Sequence, residues 1–187
     1  MDKVCFKSME GGGKQTMKTR ADEHFSALKQ IIPKVERLML FDYDNNDDAF
    51  HPEPDNAVLA EWKRKNIENY LLVSDAWKRA AKRQMEYDKQ PLLVRPVLET
   101  IDKFFAEQNL TLPPGRTWRN VSANVFGVVD GKRILFENDD SLFHQLRTGT
   151  PSVELLREQV ALNMVPDEIH EDVHHFIAKL IRLTGTN

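Results

Sequence analysis

Two aspartates that follow an apolar segment are the residues of this chain best suited to chemistry. Residues 38–41 are all apolar, and Asp42 and Asp44 come directly after them with one tyrosine between. In an extended strand, side chains two positions apart share a face, so both carboxylates would lie together at the carboxyl end of the strand. Two such carboxylates repel each other unless a cation lies between them. The pattern therefore predicts a site for a hard metal ion, Mg²⁺ or Mn²⁺, with a solvated loop start as the alternative.

A third acid, Glu68, lies inside an apolar run. Residues 67–72 read Ile-Glu-Asn-Tyr-Leu-Leu, so the glutamate is flanked by side chains that favour the protein interior. A buried carboxylate without a partner is costly. We therefore expect Glu68 to have a cation or several hydrogen-bond donors beside it.

Charge is unevenly distributed between these two motifs. Residues 42–55 contain acids but no lysine or arginine, whereas residues 63–83 contain seven bases and two acids. The acids are Asp42, Asp44, Asp47, Asp48, Glu53 and Asp55, and the bases are Lys63, Arg64, Lys65, Lys78, Arg79, Lys82 and Arg83. This arrangement suits a metal-dependent enzyme that acts on a polyanion, because metals offset the carboxylates while the bases contact phosphates. The alternative is that the bases form a solvated helix face.

The elements that must position these residues follow from apolar periodicity. The patterns predict strands at residues 4–9, 35–41 and 57–62 and helices at 16–32, 75–87, 92–108, 139–146, 151–163 and 166–183, with Ser74 as the N-cap of the second helix. This order indicates an α/β protein with a parallel sheet and a mainly helical C-terminal part. Residues 112–115 read Leu-Pro-Pro-Gly, which marks an internal boundary. We therefore predict an α/β domain at residues 1–112 and a helical extension packed on it at 113–187.

The strand that ends in Asp-x-Asp, followed by Ile-Glu-Asn-Tyr-Leu-Leu and a helix, resembles the Toprim nuclease domain of the overcoming-lysogenization-defect (OLD) family of ATP-dependent endonucleases. The resemblance implies a Rossmann-like fold and divalent-metal-dependent cleavage of DNA. It assigns Asp42, Asp44 and Glu68 to metal binding and catalysis. A lysine that stabilises charge on the phosphate is also implied, and Lys132 is its best match. The implied partners are DNA and an ATPase domain, upstream or in trans, and a homodimer is left open.

One departure from the family concerns the first Toprim strand, which normally ends in Glu-Gly well before the Asp-x-Asp. Met9, Glu10 and Gly11 carry the right letters but leave too little room before Asp42 for the intervening helix and second strand. We therefore interpret residues 4–9 as the second strand, with the first strand and the ATPase half absent. On this interpretation the chain is a fragment with at most weak nicking activity alone, or it is a non-catalytic, degenerate Toprim domain that binds DNA or a partner.

Two other motifs suggest different hydrolases. Asp42 and Asp44 also resemble the nucleophile motif of haloacid-dehalogenase-like phosphatases, with Lys132 and residues 138–140 as the later lysine and acids. Residues 170–174 match H-E-x-x-H, the zinc-peptidase helix motif, but Leu180 stands where its extended form has a histidine. The histidines are more consistent with the flanks of a packing face.

Composition limits the remaining classes. The chain has 187 residues, is 41% hydrophobic and 29% charged, and carries a net charge of −3, so it is neither disordered nor a nucleic-acid polycation. A single cysteine, Cys5, excludes an internal disulfide and is predicted to be a small strand residue. With no membrane span or signal peptide in its sequence, we expect a cytoplasmic protein.

Overall fold

A computed structural model describes residues 4–9, 12–43, 52–53, 56–122 and 124–185. It is mixed α/β, with 59% helix and a small parallel sheet of two strands. The helices are α1 (Lys14–Ile31), α2 (Ser74–Tyr87), α3 (Val94–Glu107), α4 (Asn124–Val128), α5 (Leu142–Thr148), α6 (Arg157–Leu162) and α7 (Glu171–Thr184), and the strands are β1 (Met39–Phe41) and β2 (Leu59–Glu61). No helix among the described residues is long and apolar enough to cross a membrane.

The first compact unit comprises Met1–Trp62 and Asp172–Asn187 and contains the sheet. β1 and β2 run parallel, and Phe41 is in register with Glu61. Lys179 of α7 donates a hydrogen bond from Nζ to the carbonyl of Leu59 at 2.8 Å, and the ring of Phe176 lies 5.3 Å from that of Trp62. Helix α7 is therefore fixed against β2 by one polar contact and one aromatic contact.

The second compact unit, Lys63–Glu171, holds the main hydrophobic core. Helices α2 and α3 pack against each other, and α5 and α6 contribute apolar side chains to the same cluster. Trp77 is completely buried at its centre, where its indole Nε1 donates to the carbonyl of Leu71 at 2.9 Å. A buried tryptophan needs such a partner for its N–H, and its area makes it the largest single apolar contribution to this core.

Several predicted elements are confirmed by the structure. Helix α2 ends at the predicted residue, Tyr87, and begins at Ser74, which the sequence predicts as its N-cap, and strand β2 lies inside the predicted range 57–62. The predicted helix at 92–108 is a 3₁₀ turn, Pro91–Leu93, followed by α3. The coarse α/β class is thus confirmed, while the Toprim topology stays a prediction. The domain division at residue 112 also stays a prediction; the second unit runs through that position.

The predicted strand at residues 4–9 is wrong. These residues have no regular secondary structure, and Cys5 and Phe6 are exposed, Phe6 by 80%. The only partner of β1 among the described residues is β2, so the 4–9 segment has no neighbouring strand to accept its backbone hydrogen bonds there. The apolar composition of residues 4–9 does not by itself predict a strand, because a strand also needs a neighbouring strand.

Candidate functional site

Asp42 lies at the carboxyl edge of the parallel strand pair. It follows Phe41, the last residue of β1, and its side chain is exposed. The carbonyl of Phe41 accepts a hydrogen bond from the backbone N–H of Trp62 at 2.9 Å, so the two strands leave the sheet at the same edge. Parallel sheets place ligands at this edge, which is where the sequence predicts the metal. Asp44 lies outside the described residues, as do residues 45–51 of the acidic stretch.

The sequence predicts that Asp42, Asp44 and Glu68 lie at neighbouring strand ends, but Glu68 lies in a 3₁₀ helix, Ile67–Leu71. Its residue is only 6% exposed, and its Oε1 accepts a hydrogen bond from Nε of Arg157 at 2.8 Å. The same guanidinium lies 4.3 Å from the ring centre of Phe136. The predicted need for a cation beside Glu68 is therefore confirmed, and the cation is an arginine at the start of α6.

Lys132 lies close enough to Glu68 to interact with it electrostatically. Its Nζ forms an ion pair with Oε1 of Glu137 at 2.9 Å, and about half of the side chain is exposed. The hydrogen bond to Glu137 is the main cause of a raised pKa for Lys132, to which the carboxylate of Glu68 adds while Arg157 opposes it. Two of the four predicted site residues thus lie in one charged cluster with Arg157 and Glu137.

The polar residues after Glu68 hold a second segment in place. Asn69 is completely buried, and its Nδ2 donates to the carbonyls of Phe126 and Val129 at 2.9 and 2.8 Å. Its Oδ1 accepts from the backbone N–H of Gly131 at 3.1 Å. A Cβ on Gly131 would lie 2.6 Å from that oxygen, so the close approach requires glycine. The asparagine of the Ile-Glu-Asn motif therefore positions the segment that carries Lys132.

Asp130 also links the segment that carries Lys132 to the two residues just before the Ile-Glu-Asn motif. Its Oδ1 accepts from Nδ2 of Asn66 at 3.1 Å, and its Oδ2 pairs with Nζ of Lys65 at 3.0 Å. Burial raises the pKa of Asp130, but the hydrogen bond from Lys65, the backbone N–H of Arg133 and the remaining contacts outweigh it, so the net shift is downward. Asp130 therefore makes these contacts as an ionised carboxylate.

Several bases of the predicted basic stretch form hydrogen bonds or ion pairs within the second unit. Arg64 is buried, where it donates to the carbonyl of Asn69 at 2.8 Å and lies 4.8 Å from the ring centre of Tyr70.

Three further bases of this stretch form ion pairs. Lys78 pairs with Asp75 and Asp102 at 2.8 and 3.0 Å. Arg79 pairs with Glu168, and Lys65 with Asp130. Four of the seven bases thus stabilise the fold, whereas Lys82 and Arg83 are exposed on α2.

The donor set at the sheet edge only partly fits a divalent ion. The carboxylate of Asp42 is a ligand type that a divalent ion prefers, whereas Glu68 belongs to the other compact unit and is engaged by Arg157. Among the described residues there is no group of three histidine, cysteine or acidic side chains that could hold a metal. Without Asp44, which is outside that part of the chain, the described side chains do not form a complete site.

The H-E-x-x-H motif is not contained in one helix. Helix α7 begins at Glu171, so His170 precedes it, and the His170 ring lies 5.7 Å from that of Tyr70. His170 is 8% exposed, which is consistent with a packing role. The zinc-peptidase interpretation requires both histidines one turn apart on a helix, and the structure does not provide that arrangement.

Comparisons with protein-family models, with curated protein sequences and with solved structures find no significant match to this chain.

Proposed function

We propose that this chain is a Toprim-type domain that hydrolyses DNA phosphodiester bonds with a divalent metal ion. The observation that supports it best is the place of Asp42, at the carboxyl edge of a parallel strand pair and at the start of the acidic stretch. Asp42 and Asp44 are the residues that would hold Mg²⁺ or Mn²⁺. The bound ion would supply Lewis acidity toward a phosphate oxygen. An ATPase domain, upstream or in trans, belongs to the same proposal.

In this proposal Glu68 and Lys132 are not metal ligands. Glu68 is neutralised by Arg157, which argues for an orienting role. Lys132 keeps about half of its side chain in solvent, and its raised pKa keeps it cationic at neutral pH. A cationic, solvent-accessible amine is suited to contact a DNA phosphate.

A second candidate is a non-catalytic Toprim-like domain that binds DNA or a partner. The observation in its favour is that Glu68, assigned by the resemblance to the metal site, is the acidic half of a buried ion pair. Such a pair stabilises a fold without serving chemistry, and the internal use of Lys78 and Arg79 agrees with it.

Plasmid nicking separates the two candidates. The wild-type chain should nick supercoiled DNA in Mn²⁺ and more slowly in Mg²⁺, and Asp42→Asn should abolish nicking. The exposed Asp167, which lies away from the sheet edge in sequence and in the other compact unit, provides the matched control Asp167→Asn. Nicking that persists in Asp42→Asn would refute the proposal. DNA binding without any nicking would favour the second candidate, and release of phosphate from a small monoester, lost in Asp42→Asn, would favour a phosphatase.

A further inference from the structure

A cavity in the second unit lies directly beside the Glu68–Arg157 pair. It has a volume of about 290 Å³ and is lined by Phe136, Phe143, Leu156, Arg157 and Glu158. Small-molecule sites in proteins begin at about 300 Å³. The cavity lies just below that range, so it suits only one planar group of moderate size and is too small for a folded segment.

Two aromatic rings form the apolar side of this cavity. Phe136 and Phe143 have ring centres 6.4 Å apart, with planes inclined at 43°. Phe136 belongs to a π-helix, Arg133–Glu137, and is supported from behind by Trp77 at 5.5 Å. Phe143 is half-buried on α5, and the guanidinium of Arg147 lies 5.5 Å from its ring centre, so only the part of the ring that Arg147 leaves uncovered is accessible. π-Helical turns are frequent at functional sites, and here the turn directs a ring toward an open cavity.

Arg157 provides a cation at the wall of the cavity in a fixed orientation. Glu68 engages its Nε and Phe136 covers one face of the guanidinium. The Nη1 and Nη2 groups make no hydrogen bond within the described part of the chain, and 47% of the side chain is exposed. An arginine held through Nε with its Nη edge accessible is suited to bind phosphate through two hydrogen bonds.

The glutamates near Arg157 differ in their ion-pair partners. Glu68 is paired with Arg157 itself, and Glu137 is paired with Lys132. Glu158 also lines the cavity. Its carboxylate can only accept hydrogen bonds at neutral pH, so it favours a ligand that presents an N–H group to it.

We propose that this cavity binds one unpaired nucleotide of a DNA strand. The base stacks on Phe143, its phosphate contacts the Nη edge of Arg157, and an exocyclic amino group of the base donates to Glu158. Aromatic side chains bind unpaired bases by stacking, and a carboxylate selects a base that has an amino group. Cytosine satisfies that condition and thymine does not. The inference rests on DNA as the ligand of the proposed function, but it needs no metal ion and no cleavage.

The test is fluorescence anisotropy with labelled oligo(dC) and oligo(dT) of equal length, in EDTA and at neutral pH. Wild type should bind oligo(dC) more tightly than oligo(dT). Phe143→Leu keeps apolar volume but removes the stacking face, and should weaken oligo(dC) binding about tenfold. Tyr87→Leu, at an 83% exposed aromatic on α2, is the matched control and should leave binding unchanged.

Arg157→Lys is the second variant, because it keeps a positive charge opposite Glu68 while removing the two-pronged guanidinium. It should weaken both oligonucleotides, and the wild-type unfolding midpoint should be retained within a few degrees. Equal affinity for oligo(dC) and oligo(dT), or wild-type affinity in Phe143→Leu, would overturn the inference. Since EDTA removes the metal, base-dependent binding in a chain that never nicks plasmid would sustain this inference and refute the nuclease proposal.

Discussion

Replacing Arg157 by glutamine should destabilise the second unit by leaving the carboxylate of Glu68 buried without a cation. The Glu68 side chain is 8% exposed and the Arg157 side chain 47% exposed, so the two halves of the pair differ in their access to water. Removing one partner of a fully buried pair costs about 3–5 kcal/mol. Because Arg157 is partly solvated, we discount this to about 2 kcal/mol for Arg157→Gln.

The difference in exposure between Glu68 and Arg157 predicts a smaller loss of stability for Glu68→Gln. Arg157 can hydrate when its partner becomes neutral, so that variant should lose about 1 kcal/mol. The double variant should be more stable than Arg157→Gln alone, since it leaves no unpaired charge in the interior. For a chain of this size, about 2 kcal/mol lowers Tm by about 4–8 °C.

Urea unfolding followed by far-ultraviolet circular dichroism measures these differences. Lys103→Gln removes one partner of an exposed pair on α3, where Lys103 and Glu107 are 75% and 60% exposed, and should change stability by less than about 0.5 kcal/mol. The reasoning would be refuted if Arg157→Gln were no less stable than Glu68→Gln, or if the double variant were the least stable of the three.

Two further predictions concern the segment that carries Lys132. Gly131→Ala should cost about 1–3 kcal/mol in urea unfolding, because its Cβ would meet Asn69 at 2.6 Å, and a wild-type midpoint would contradict that contact. Asp130 has a lowered pKa in the folded state, so its contribution is present above the carboxyl's ordinary pKa of about 3.9 and is lost as pH falls through the folded value. Asp130→Asn should therefore flatten the acid limb of a Tm-against-pH profile, and an unchanged acid limb would show that the lowered pKa contributes nothing.

Local patterns predict the helices well where burial and periodicity agree. The apolar spacing of residues 76, 77, 80, 81 and 85 defines one face of α2, and all five are buried. Helix α1 is also predicted from its periodicity, but Lys14 is its only fully buried residue among those described. Its apolar residues at positions 17, 21, 25 and 28 do follow helical spacing, but they are only half-buried in the structure.

Long-range partners could not be predicted from the sequence. The apolar surroundings of Glu68 indicate that a cation is needed, but Arg157 is 89 positions away and nothing local connects the two. Counting charges in residues 63–83 likewise cannot reveal that Arg79 pairs with Glu168, also 89 positions away. Such contacts depend on how the helices pack, which a single sequence does not encode in any short-range pattern.

The structural role of Asn69 could be predicted only in part from the sequence. Its position in the Ile-Glu-Asn motif marks it as unusual, because an amide is costly in an apolar run without partners. The sequence contains Asp130 and Gly131 as a turn signal, yet only the structure connects that turn to Asn69. The motif that suggested catalysis therefore also has a structural function.

Isothermal titration calorimetry of Mn²⁺ into the wild-type chain and Asp42→Asn measures whether the carboxyl edge of β1 binds a metal ion. Saturable binding to the wild type should be lost in Asp42→Asn and unchanged in the Asp167→Asn control, because Asp42 provides the ligand at this edge. Circular dichroism of each variant establishes that the fold is retained. Equal Mn²⁺ binding by the wild type and Asp42→Asn, or no binding by either, would contradict the claim that this edge is a metal site.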